Sequence, residues 1–100
     1  MVPHFDPVIH APLRLQICAL LSAVDDVEFA VVRDETEVSD SVLSKHLKQL
    51  EEAGYLKLRK ATVLSRQRTW LSLTSDGRRA FAAHVQELTR LAAVATSVAE

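Results

Sequence analysis

The stretch SDSVLSKHLKQLEEAGYLKLRK, residues 39–60, constrains the fold of this chain more than any other part of the sequence. Ser39 suits a helix N-cap, Asp40 suits the positive first turn, and Gly54 is the expected C-terminal stop. At 100° per residue one narrow sector of this helix is expected to face the core, and it holds Leu43, His46, Leu47 and Leu50. The pattern therefore predicts an amphipathic helix that turns at a glycine into a basic strand.

The opposite sector of the same helix is polar and slim. It carries Ser41, Lys45, Lys48 and Glu52, flanked by Ser44 and Gln49. Charge is also distributed unevenly along the chain: residues 1–44 hold two Lys/Arg and eight Asp/Glu, residues 45–68 hold seven and two, and residues 69–100 hold three and three. The net charge of -1 thus conceals a basic segment that ends at Arg68.

Before this helix, the sequence predicts an irregular start containing Pro3 and Pro7 and then two helices. Pro12 suits the first turn of a helix that runs to about Val24. Its core face is expected to hold Leu13, Ile17, Leu20, Leu21 and Val24. A short helix from about Glu28 to Thr36 follows and is expected to bury Phe29 and Val32. It is separated from the third helix by the tight segment EVS, which predicts a helix-turn-helix arrangement.

After Gly54 the segments YLKLRKA and RTWLSL alternate in strand fashion around a polar turn, TVLSRQ, and predict a two-stranded hairpin. Thr74 is expected to cap a long helix over residues 75–98. Apolar residues in this last helix recur at spacings of three and four, and the first long helix is apolar nearly all round. Both features predict a homodimer, with an interface formed by Leu15, Cys18, Ala19, His84, Leu88, Leu91, Ala95 and Val98.

Composition excludes several classes of protein. One hundred residues with 48% hydrophobic content fit a single domain over residues 1–100. No apolar run approaches the roughly 18 to 20 residues of a membrane span, and no signal peptide is evident, so a cytoplasmic protein is expected. The single cysteine, Cys18, excludes an internal disulfide. A redox role for that thiol is a weak alternative to simple burial.

No catalytic motif or phosphate-binding glycine loop occurs, so we expect neither enzymatic activity nor a cofactor. The histidines His4, His10, His46 and His84 match no zinc signature. Trp70 is expected to pack on its strand, and Arg78 and Arg79 to pair with acidic groups.

A slim helix end that carries serines and lysines can enter a DNA major groove, which is roughly 12 Å wide. The candidate DNA-binding residues are Ser39, Ser41, Ser44, Lys45, Lys48, Gln49, Lys57, Arg59, Arg66 and Arg68. Lys60 is a further rim charge on the first strand. The alternative interpretation is an ordinary solvated helix face, because many surface helices place lysines and serines opposite an apolar stripe.

Three segments carry a family resemblance: FDPVIHAPLRLQI, LSKHLKQLEEAGYL and RTWLSLTSDGRRAF. In this order the chain resembles winged-helix regulators of the MarR/ArsR type over about residues 4–92. It lacks the cysteine pair of metal-sensing ArsR proteins and the additional helices of longer MarR proteins.

The resemblance implies a mainly α (α+β) fold with three helices, a two-stranded wing hairpin and a long C-terminal dimerisation helix. It further implies a dimeric bacterial or archaeal transcriptional regulator, by default a repressor, that binds double-stranded DNA at a pseudo-palindromic operator. Two alternatives stay open. One is a winged helix used for protein–protein interaction, and the other is a sensor that responds to a metal or to a small-molecule effector.

Overall fold

The computed structural model describes residues 4–99 and is mainly helical, with one small antiparallel sheet. The elements in chain order are α1 (Pro7–His10), α2 (Pro12–Ser22), β1 (Val27–Glu28), α3 (Phe29–Thr36), α4 (Asp40–Glu52), β2 (Leu56–Val63), β3 (Arg66–Leu73) and α5 (Ser75–Ala99). The predicted fold class is confirmed, with a short helix α1 and a third strand β1 that the sequence patterns did not reveal.

The core lies where α2, α3, α4 and the sheet converge. Its fully buried side chains include Ile9, Ile17, Cys18, Leu21, Val32, Leu43, Leu47, Leu50 and Leu71. The three leucines of α4 are all buried, which confirms the predicted inner sector of that helix. Truncating such a leucine to alanine typically costs about 2–5 kcal/mol, so this sector holds α4 against the body. Val24 is 40% exposed because α2 ends two residues earlier, at Ser22.

The start of the described chain is helical rather than irregular, which corrects one prediction. The Asp6 carboxylate accepts a hydrogen bond from the Val8 N–H at 2.9 Å, and Pro7 occupies the first turn of α1. An aspartate followed by proline is a helix-start signal, and it was available in the sequence. The helix brings Ile9 fully into the core. Pro3, the other residue of the predicted irregular start, lies outside the described residues.

Helix α4 begins and ends as its sequence predicts. The Ser39 hydroxyl accepts from the Val42 N–H at 3.2 Å. Gly54 has a φ of 82°, and its N–H donates to the Glu51 carbonyl, while the N–H of Tyr55 donates to the Leu50 carbonyl. These paired bonds form a Schellman motif, which requires the left-handed residue that glycine supplies. The motif turns the chain directly into β2.

The sheet has the strand order β1-β3-β2. Strands β2 and β3 pair from Leu56 with Leu73 outward to Val63 with Arg66, so only Leu64 and Ser65 form the turn. The predicted turn TVLSRQ is therefore too long, because four of its residues belong to the strands. Strand β1 pairs only with Trp70 and Leu71, so the outer part of the β2–β3 ribbon has two strands. We call this outer part, residues 60–69, the wing.

Helix α5 starts against the body and then leaves it. The Thr74 hydroxyl accepts from the Gly77 N–H at 2.9 Å, which confirms the predicted cap. A Cβ at Gly77 would collide with the Tyr55 carbonyl oxygen, so this first turn packs closely on the start of β2. The body and the helix together span 59 × 25 × 21 Å, and every described side chain from residue 92 onward is exposed. Within residues 4–99 no helix is both long and apolar enough to cross a membrane.

Candidate nucleic-acid interface

Helices α3 and α4 form the predicted helix-turn-helix. Helix α3 ends at Thr36, Glu37 adopts the left-handed conformation with a φ of 56°, and Ser39 caps α4. Arg33, on α3, contacts the carboxylate of Asp40 at 3.2 Å. Asp40 therefore complements the positive end of α4 while part of its charge is offset by Arg33. The turn is three residues long, which gives α4 a defined angle to α3.

The outer face of α4 is polar, and over most of its length its side chains have no ion-pair partner within residues 4–99. Ser41, Ser44, Lys45 and Lys48 are all exposed, opposite the buried leucines. The hydroxyls of Ser39 and Ser41 lie 3.3 Å apart at the start of the helix, where unpaired backbone N–H groups are also available. This face presents small hydrogen-bonding groups first and positive charges one to two turns later.

Gln49 was predicted to flank this outer face, but the structure places it elsewhere. Its side-chain oxygen accepts a hydrogen bond from the guanidinium of Arg14, on α2. The same guanidinium contacts Nδ1 of His46 at 3.0 Å and donates to the Val8 carbonyl. Gln49 is therefore half-buried at the inner edge of α4, where it anchors the helix from behind. Burial and the nearby charges of Arg14 and Lys45 lower the pKa of His46.

The basic residues of β2 and β3 fall into two groups. Arg68 donates to both carboxylate oxygens of Glu28, at 2.9 and 3.1 Å, and Arg59 lies 3.6 Å from Asp26 and over the Trp70 ring at 5.6 Å. These two arginines, both predicted to contact DNA, have protein partners at the base of the ribbon. The other group, Lys57, Lys60 and Arg66, is exposed.

Cross-strand pairing determines which basic side chains share a face. Arg59 pairs with Trp70, and Val63 pairs with Arg66, and because side chains alternate along a strand these rows lie on one face of the sheet. Lys60 pairs with Thr69 on the other face. Among residues 4–99 no ion pair involves Lys45, Lys48, Lys57, Lys60 or Arg66. The basic segment predicted from the sequence thus keeps five of its seven charges unpaired, and these lie on α4, β2 and the wing.

Two residues of the predicted dimer interface are instead buried within the protomer. Cys18 is 0% exposed and His84 is 2% exposed. The N-terminal segment and α1 cover the side of α2 and α5 that the sequence left unpartnered, which is the physical reason for the correction. Burial raises the pKa of the Cys18 thiol to about 11, so this sulfur is protonated at neutral pH and unsuited to a redox switch.

The remaining predicted interface residues stay available to a partner. Leu15, Leu88 and Leu91 are half-buried, and Ala19, Ala95 and Val98 are exposed, with Val98 at 81%. Ala95 and Val98 lie on the part of α5 that extends beyond the body, where only a partner could cover them.

A polar cluster around His84 was not foreseen. The Asp6 N–H donates to Nδ1 of His84 at 3.4 Å, and Nε2 of His84 lies 3.1 Å from Nδ1 of His10. Phe5 stacks on the His10 ring at 4.2 Å, and the Tyr55 hydroxyl donates to the Asp6 carboxylate. Burial, together with His10, lowers the pKa of His84. The hydrogen-bonded partners in this cluster are 49 to 78 residues apart in the chain, so no local pattern could have revealed them.

Over residues 4–99 no group of three or more His, Cys, Asp or Glu side chains is arranged to hold a metal ion. A groove of about 350 Å³ lies between α2, β1 and α3. Its walls are apolar apart from one carboxylate, and it is lined by Leu20, Val24, Val27, Val31, Val32 and Glu35.

A helix-turn-helix followed by a β ribbon defines the winged-helix class of domain. The chain belongs to the winged helix DNA-binding domain family, whose sequence pattern matches residues 13–92. The uncharacterized protein MJ0432 of Methanocaldococcus jannaschii is 31% identical over 84 residues, which are 84% of this chain and 91% of that protein.

Solved structures share the fold at lower identity. A transcriptional regulator homologue from Pyrococcus horikoshii OT3 superposes with a TM-score of 0.79 at 23% identity, over 84% of this chain and 83% of that one. NadR in complex with 4-hydroxyphenylacetate has a TM-score of 0.72 at 19% identity, over 94% of this chain and 69% of that one. The resemblance to winged-helix proteins is thereby confirmed at the level of the fold.

Proposed function

We propose that this protein is a homodimeric, sequence-specific transcriptional regulator that acts in the cytoplasm and represses by occluding polymerase from its operator. The observation that carries the proposal is the outer face of α4, where Ser41, Ser44, Lys45 and Lys48 are exposed while every leucine of the helix is buried. Serine and lysine can bond both base edges and phosphates, and a helix of this width fits the major groove. Helix α4 is the reading element.

The wing and the strands beneath it supply contacts beside the major groove. Lys57, Lys60 and Arg66 are exposed and form no ion pair among the described residues, so their charges are available to phosphates or to the minor groove. Arg59 and Arg68 contribute mainly to the field around this surface, since each already contacts a carboxylate. These contacts add affinity and orientation.

The dimer is proposed on the apolar residues that the protomer leaves uncovered on α5. Two copies joined there would place two α4 helices on successive major grooves, about 34–36 Å apart. Introducing charges through Ala95→Glu together with Val98→Glu should give monomers in sedimentation velocity without unfolding the protomer, because both side chains are exposed. The matched control is Ala93→Glu with Ser97→Glu, two exposed positions on the opposite side of α5, which should remain dimeric. A dimer that survives the first pair would contradict this interface.

The proposal is tested by selecting bound sequences from a random pool of duplex DNA with the wild-type protein. The expected result is an inverted repeat with half-sites one helical turn apart. Affinity for the selected duplex should fall steeply with salt; a dimer that neutralises about eight phosphates would show a slope of about -7 in log K against log salt. If no sequence is enriched from the pool, sequence-specific DNA binding is contradicted.

The rival candidate is a winged helix that docks an acidic protein through the same basic face. It predicts that no duplex is enriched and that DNA affinity shows no steep salt slope. A ligand- or metal-responsive regulator keeps DNA binding and adds a switch. Adding 4-hydroxyphenylacetate or zinc to the binding assay tests this variant, the former because it occupies NadR.

A further inference from the structure

The tip of the wing carries an apolar residue in a conformation that does not favour it. Leu64 and Ser65 have φ values of 51° and 64°, and they join strands in a two-residue turn. Positive φ at both central positions is the geometry of a type I′ turn, for which Asn-Gly and Asp-Gly are the preferred residues. Leucine is unfavourable there, because its Cβ crowds the backbone at positive φ.

The leucine side chain also contributes little to the fold. Leu64 is 91% exposed, the largest exposure among the large hydrophobic residues described in the structure. Single exposed leucines are common on protein surfaces and usually need no explanation. Here, however, both the backbone conformation and the lack of burial favour a polar turn residue. The side chain therefore stabilises nothing unless a partner covers it.

The surroundings of the tip match a DNA minor groove. The cross-strand pair next to the turn is Val63 with Arg66, so an exposed guanidinium lies beside the leucine. Beyond the Arg59–Trp70 row the ribbon has only two strands, about 4.8 Å apart, and it extends roughly 17 Å to the turn. A narrow projection with an apolar tip and a flanking arginine is the type of element that inserts into the minor groove, which is roughly 6 Å wide.

We propose that Leu64 is a DNA wedge: its side chain enters the minor groove beside the half-site read by α4 and partly unstacks one base step. The proposal rests on the proposed function and adds a specificity-determining residue to it. Arg66 holds the neighbouring phosphates while the leucine contacts sugars and base edges. Because pyrimidine–purine steps unstack most easily, the wing adds a preference for TA or CA/TG at its position without hydrogen bonds to bases.

The test uses the full chain and 30-base-pair duplexes that the wild-type protein selects from a random pool. Leu64→Asn places a residue favoured at positive φ in the turn, so thermal stability should equal or exceed that of the wild type. We expect this variant to bind the selected duplex about tenfold more weakly, because the apolar contact is lost. We also expect it to select the same half-sites without the flanking step preference. Leu64→Met keeps an apolar side chain and should retain affinity, and Ser65→Asn, at the other turn position, should behave as wild type.

A second readout reports the unstacking itself. With 2-aminopurine placed at the flanking step, the wild-type protein and Leu64→Met should raise its fluorescence, whereas Leu64→Asn should not. If Leu64→Asn binds, selects and unstacks DNA as the wild type does, the wedge is overturned and the proposed function stands. If the wild-type protein enriches no duplex at all, the proposed function fails and the wedge fails with it.

Discussion

Helix α4 and the wing carry similar numbers of basic residues but hold them differently. Lys45 and Lys48 project from a helix whose other face is anchored by three buried leucines, and neither has an ion-pair partner among the described residues. At the base of the wing, Arg59 and Arg68 are held by Asp26 and Glu28. The difference shows that a count of cations overstates the ribbon, because two of its arginines are paired with carboxylates, whereas both lysines of α4 are free of ion pairs among the described residues.

The largest effect is expected from removing both α4 charges. Lys45→Ala with Lys48→Ala removes four cations from the proposed dimer, so it should weaken binding to a selected duplex by at least about tenfold at physiological salt and reduce the salt slope by about four. Both side chains are exposed, so the melting temperature should stay within about 2 °C of wild type. Arg79→Ala, an exposed cation on α5 that already contacts Asp76, is the matched control and should leave affinity unchanged. Equal affinities for the double variant and the control would remove α4 from the interface.

A smaller loss is expected at the unpaired wing arginine. Arg66→Ala should weaken binding a few-fold and reduce the salt slope by about two, because one phosphate contact is lost from each protomer of the proposed dimer. The free protein should unfold at the same temperature, since Arg66 is exposed and forms no described ion pair. A salt slope identical to that of the wild type would place the wing away from the phosphates.

Substitution of Arg68, the wing arginine that is paired with Glu28, should affect stability more than DNA binding. Arg68→Ala should lower the free energy of unfolding by at most about 1 kcal/mol, because the Glu28 pair is partly exposed and screened by solvent. It should change the salt slope of DNA binding much less than Arg66→Ala does. Parallel urea melts and salt titrations separate the two arginines. A larger slope change for Arg68 than for Arg66 would reverse the distinction between paired and free cations.

The smallest effect is expected from a change in pH, which alters stability through His46 and His84 rather than through residues of the wing. The pKa values of His46 and His84 are both lowered from 6.5, chiefly by burial, so the folded protein favours their neutral forms. The unfolded chain therefore binds more protons below about pH 6.5, and stability present above that pH is lost as the pH falls towards the folded pKa values.

Urea unfolding at pH 8 and pH 5.5 would measure this loss. Replacing His84 with glutamine should flatten most of the dependence, because Nδ1 of His84 accepts from the Asp6 N–H and cannot do so when protonated. Replacing His46, which is half-buried beside Arg14, should flatten less. Equal pH dependence in both variants and in the wild type would mean that these two histidines do not set it.

Much of the fold could be predicted because its signals are local. The last helix was expected over residues 75–98 and extends over Ser75–Ala99, and the short helix expected from Glu28 begins one residue later. Strand β1 was missed because two residues carry no alternation, and it forms only because β3 offers an edge at Trp70 and Leu71.

The functional surface was predictable only in part. Exposure of Ser41, Ser44, Lys45 and Lys48 follows from helical periodicity once the leucines are known to face inward. The inward orientation of Gln49 does not follow from helical periodicity, because its position on the helix is compatible with either face. Its inward orientation depends on Arg14, which lies 35 residues earlier in the chain.

The sequence by itself determined helix α4: its serine cap, its glycine stop, its leucine sector and its basic outer face all depend on residues within a few turns of one another. The tertiary structure decided which charges remain free and which side chains are hidden. Arg68 meets Glu28 across 40 residues, and His84 meets Asp6 across 78. Helix periodicity and capping act over one or two turns, whereas ion pairing and burial depend on which distant segments the completed core brings together.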